Sequence, residues 1–101
     1  MLTVIELPAF AKHWSDHWTD EELAEFVAHL SANPYAGEVI PGSGGCRKLR
    51  WSRAGKGKRG CVRVIYLNRL AEGNVVLLLI YAKGAQGSIS PFVLRRIAEE
   101  I

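Results

Sequence analysis

The run from Val75 to Ala82 is apolar at all eight positions. That length is too short to span a bilayer and ordinary for a strand. Such a run reads as a central strand, with neighbours pairing on either side. Two alternating segments supply neighbours. Cys46 to Trp51 sets Cys46, Lys48 and Arg50 on one side and Arg47, Leu49 and Trp51 on the other. Cys61 to Leu67 sets Cys61, Arg63, Ile65 and Leu67 against Val62, Val64 and Tyr66. Glu72-Gly73-Asn74 has turn chemistry and joins the last two strands as a hairpin.

Helical signals flank these strands. After a short strand from Thr3 to Leu7, Pro8 suits a first helical turn, and Phe10, Trp14 and Trp18 recur every four residues. Thr19 with Glu22 forms a capping box, and Asp20, Glu21 and Glu22 favour the positive end of the helix dipole. Leu23, Phe26, Val27 and Leu30 make the buried stripe of this second helix, which Asn33-Pro34 ends. Residues 35–45 read as a loop with a flexible glycine-rich end at Pro41 to Gly45. Ser90-Pro91 starts a final helix with Leu94, Ile97 and Ile101 on its apolar side. The order β-α-α-β-β-β-α predicts a compact α+β fold, an antiparallel-rich sheet with helices packed on one face. At 101 residues and 49% apolar, residues 1–101 read as a single domain with a real core.

Charge is distributed unevenly. Between Glu38 and Glu72 lie Arg47, Lys48, Arg50, Arg53, Lys56, Lys58, Arg59, Arg63 and Arg69, and no acid. The remainder holds four cations against ten acids. A basic hairpin over residues 47–63 therefore offers a positive surface to a polyanion, where Arg forks onto phosphate oxygens. The N-terminus lacks a secretory signal, so the chain reads as cytoplasmic with no membrane partner. Cys46 and Cys61 form no C-x-x-C pair and read as reduced strand residues.

Other chemistries find little support. The glycines near the hairpin do not make a phosphate-binding loop, because G-x-x-x-x-G-K-[ST] is absent. His13 and His17 share i, i+4 spacing without an H-E-x-x-H context, and no histidine lies near the basic strands. No metal or cofactor is called for. No serine has a G-x-S-x-G setting. Trp51 reads as core, and Tyr66 is a candidate for stacking on a base.

Taken in order, Cys46-Arg47-Lys48-Leu49-Arg50-Trp51, Gly57-Lys58-Arg59-Gly60, Arg63-Val64-Ile65-Tyr66 and Tyr81-Ala82-Lys83 resemble the HigB branch of RelE-type toxins. The element order is similar to the RelE/ParE superfamily across essentially the whole chain. The resemblance implies a toxin of a type II toxin–antitoxin system that enters the ribosomal A site and cuts mRNA. The ribose 2′-OH attacks the adjacent phosphate without a metal. It implies catalytic roles for Lys58, Arg63 and Lys83, and RNA contacts for Arg47, Lys48, Arg50, Arg53, Lys56, Arg59 and Tyr66. It also implies a helix-turn-helix antitoxin as partner. The stretch after Lys83 departs from the family pattern, since Gly84 to Ile89 contains neither acid nor arginine. Two other readings stay open: a ParE-like inhibitor of DNA gyrase, and an RNA- or ribosome-binding module without catalysis.

Overall fold

The computed structural model describes residues 2–52, 61–84 and 89–101. Five strands form one sheet in the order β1-β5-β4-β3-β2: β1 (Thr3–Glu6), β2 (Glu38–Val39), β3 (Arg47–Ser52), β4 (Cys61–Arg69) and β5 (Asn74–Ala82). β1 runs parallel to β5, and the other pairs are antiparallel. The apolar run is central, as expected. The short β2 lies inside the segment expected to be loop.

Between β1 and β2 the chain forms α1 (Pro8–His13), a 3₁₀ turn at Trp14–Asp16, and α2 (Asp20–Ala32). The change of helix type at Trp14 means that His13 and His17 do not share an α-helix. The capping box is formed: Thr19 N donates to Glu22 Oε1 at 2.8 Å, and Glu22 N to Thr19 Oγ1 at 3.2 Å. The last helix, α3, spans Pro91–Glu100.

Alternation along β4 decides what each sheet face carries. Val62, Val64 and Tyr66 join Val75, Leu77 and Ile80 beneath Phe10 of α1, Trp18, and Phe26 and Leu30 of α2. Ile65 and Leu67 join Val76 and Leu78 beneath Leu94 and Ala98 of α3, with Cys46 beside them. The helices thus lie on both faces, which corrects the expectation that they pack on one. The reason is β5. It is apolar on both sides, and each aliphatic side chain left in water forgoes about 1.5–3 kcal/mol. α3 closes the second face. On this helix Ala98 is buried and Ile101 remains exposed.

One irregularity sets the phase of β5. Ile65 pairs with Leu79 but Tyr66 pairs with Leu77, so Leu78 is an extra residue in the ladder. Leu78 and Leu79 consequently both pack on the α3 side, and the alternation resumes with Ile80 on the other.

The glycine-rich stretch before β3 is a packed turn instead of a flexible end. Ile40 N donates to Cys46 O at 2.8 Å, and buried Ser43 Oγ donates to Ile40 O at 2.6 Å. Gly44 has φ +78°, and a Cβ there would lie 3.4 Å from Ala98 Cβ, so the turn sits directly on α3.

Candidate nucleic-acid interface

α3 covers only part of its sheet face. Beyond it, along the same alternation, stand Lys48 and Arg50 of β3, Arg63 of β4 and Tyr81 of β5. The register puts them side by side: Arg50 opposite Arg63, Arg63 opposite Tyr81, and Lys48 opposite Ile65. Lys48 and Arg50 are exposed, and Arg63 and Tyr81 are half-buried. Like charges directly opposite one another destabilise a sheet. The contact of Arg63 Nη1 with Cys61 Sγ, at 3.9 Å, offers little relief. Glu38 is in register with Lys48 at the outer edge and not with the arginine pair. An anion laid across Arg50 and Arg63 would relieve the repulsion and accept several charge-assisted hydrogen bonds.

The expected catalytic residues have mixed outcomes. Arg63 lies on this open face. Lys83 is exposed in the turn just past β5, at the end of the sheet where Ser52 and Cys61 also lie. Lys58, with the expected RNA contacts Arg53, Lys56 and Arg59, lies outside the described residues.

Two expected RNA contacts are corrected. Tyr66 has no exposed surface and points to the α1–α2 side, where no base can stack on it. Its hydroxyl donates to Pro34 O at 2.9 Å and accepts from Gly37 N at 2.8 Å. Burial pushes its phenol up from the ordinary value, opposed by the Gly37 hydrogen bond and the Arg47 charge. Arg47 also lies on that side, in phase with Leu49 and Trp51. Its Nη1 donates to Gly37 O at 2.7 Å, and its guanidinium lies 5.0 Å from the Tyr35 ring centroid. Asn68 Nδ2 adds a bond to Pro34 O at 2.8 Å. Arg47, Tyr66 and Asn68 therefore hold the 34–37 segment. Trp51 is core, as read, with its ring 5.3 Å from Phe26 and 4.9 Å from His29.

A cavity of about 240 Å³ opens beside the basic row. Ile40, Ile65, Tyr81, Ile89, Pro91 and Leu94 line it, with Lys48 as the charged member. Sequence reasoning placed neither Tyr81 nor this cavity in the site. Tyr81 is the next-to-last residue of a uniformly apolar run, whose phase cannot be read across the extra Leu78. The cavity needs Ile40, Tyr81 and α3, which are distant in the chain.

No family model matches the sequence. Solved structures do match the fold. The chain aligns over 99% of its length with 98% of a free-state double arginine-to-alanine mutant of E. coli toxin RelE, at TM-score 0.64 and 14% identity. It aligns in full with the isolated E. coli RelE toxin at TM-score 0.58 and 13% identity. A structure of the intact E. coli RelBE toxin–antitoxin complex matches over 81% of this chain and 96% of the other, at TM-score 0.61 and 14% identity. The protein therefore has a RelE-like α+β fold, a five-stranded, mostly antiparallel sheet with three helices.

Proposed function

We propose that the protein is a toxin of the RelE type, in its HigB branch, that cuts mRNA on the ribosome. The observation that carries this reading is the Arg50–Arg63 pair, set directly opposite on an open sheet face with Lys48 and Lys83 nearby, within a RelE-like fold. Cleavage by the ribose 2′-OH needs removal of its proton, stabilisation of charge on the phosphorane, and protonation of the leaving 5′-oxygen. Arg63 serves the phosphorane. It is fixed in mid-sheet, and a guanidinium binds two phosphate oxygens at once. Lys83 stands at the same end of the sheet to protonate or stabilise the leaving oxygen, and Lys58 acts on the 2′-OH. Lys48 and Arg50 hold the strand, with Arg53, Lys56 and Arg59 contributing from the adjoining segment. The chemistry requires no metal.

The partners under this reading are mRNA, the ribosomal A site and a cognate antitoxin of helix-turn-helix type, with the cytoplasm as the place of action. The antitoxin is supported by the likeness to a toxin found in a complex with one.

Induction of the chain followed by primer extension on translated mRNA is expected to reveal cuts within codons. Arg63→Ala is expected to abolish the cuts while ribosome co-sedimentation persists. Growth arrest with intact mRNA would overturn the reading. Gyrase-linked DNA breaks in that case would mark a ParE-like inhibitor, and ribosome binding alone a non-catalytic module.

A further inference from the structure

The cation row accounts for phosphate binding but leaves Tyr81 and the cavity beside it without a task. We propose that this cavity is a nucleobase pocket and that Tyr81 is the surface on which the base stacks, an inference that rests on the reading of this face as an RNA-binding one. Four observations converge on it. The cavity opens on the same face as the cations, and Lys48 belongs both to its lining and to the basic row. Apart from Lys48, its lining is aliphatic or aromatic, which suits a planar ring and not a phosphate. Its volume, about 240 Å³, is below that of a pocket for a drug-sized ligand, and suits one ring system. Tyr81 is the register partner of Arg63, and neighbouring strands lie about 4.8 Å apart. A phosphate held by Arg63 therefore leaves its own nucleoside within reach of the Tyr81 ring.

The occupant follows from charge and shape together. A cation row selects a polyanion, and an aromatic-walled cavity beside it selects an unstacked base. Single-stranded RNA offers both, whereas bases inside a duplex are already stacked and paired. The pocket would hold the base next to the phosphate bound by Arg63 and fix the strand on the open face. Stacking of one base on an aromatic side chain corresponds to about 5- to 150-fold in affinity.

The test compares two probes on the purified full chain by fluorescence anisotropy. One is a short single-stranded oligoribonucleotide, and the other is an abasic ribose-phosphate strand of the same length. The wild-type protein is expected to prefer the base-bearing strand by about 5- to 150-fold. Tyr81→Leu is expected to remove that preference and keep affinity for the abasic strand. Tyr81→Trp is expected to retain the preference, with its indole fluorescence quenched on binding the base-bearing strand alone. Equal binding of both strands by the wild-type protein would overturn the pocket and leave the RNA-cutting reading standing. An unchanged preference in Tyr81→Leu would overturn the assignment of Tyr81. Binding of neither strand would overturn the RNA-binding reading itself, and the pocket with it.

Discussion

At the scale of single residues, Tyr66 and Arg63 are separated by less than one turn of chain and by the full thickness of the sheet. Alternation along β4 already puts Tyr66 with Val62 and Val64, and alternation along β3 puts Arg47 with Leu49 and Trp51. Residue type argued the other way, since a tyrosine and an arginine on basic strands suggest RNA contacts. Period outranked type, because a side chain's face is fixed by the backbone. Tyr66→Phe should cost about 1–3 kcal/mol in urea unfolding, since the buried Gly37 N–H loses its acceptor. The same variant should alter the alkaline limb of stability. The folded-state phenol is raised, so Tyr66 costs the wild type nothing below the unfolded value of about 10. As pH climbs through and above that value, the unfolded chain ionises first and stability falls. The fall should be smaller in Tyr66→Phe, and an equal fall would refute the burial argument. Gly37→Ala should also destabilise, because its Cβ would meet Lys48 O and Tyr66 Cε1 at 2.9 Å.

At the scale of elements, the capping box of α2 was fully legible, because its four residues are contiguous and its hydrogen bonds local. Thr19→Ala should lower stability by about 1 kcal/mol, measurable as a shift in urea midpoint at constant m. The side on which α3 packs was not legible. Its apolar stripe shows that it must dock, but not where, and three neighbouring leucines in β5 hide the phase that would have told. Its anchoring is nonlocal: Leu94 has no exposed surface, and Arg69 Nη2 donates to Ala98 O at 2.7 Å. Leu94→Ala should cost about 2–5 kcal/mol by the cavity it leaves.

At the scale of the whole molecule, one sheet separates two electrostatic tasks. Arg47 on the α1–α2 side closes a loop, whereas Arg50 and Arg63 on the other stand on the part of the face that α3 leaves uncovered. Single-strand binding should show this in its salt dependence. Arg50→Ala should reduce the slope of log affinity against log salt by about 0.7, and Arg47→Ala should leave the slope unchanged. A reduced slope in Arg47→Ala would contradict the assignment of faces. The extra leucine of β5 carries a further consequence, one of counting. With Leu78 unpaired, the strand holds a spare residue. Losing one leucine would restore regular pairing at Ile65 and Tyr66 and leave Tyr81 on its present side. Gaining one would leave two spare residues between Leu77 and Leu79, to be looped out of the ladder or absorbed by a register shift that takes Tyr81 off Arg63. The strand's length is thus forgiving in one direction and unforgiving in the other, and natural variation in this chain should include shortened leucine runs and no lengthened ones.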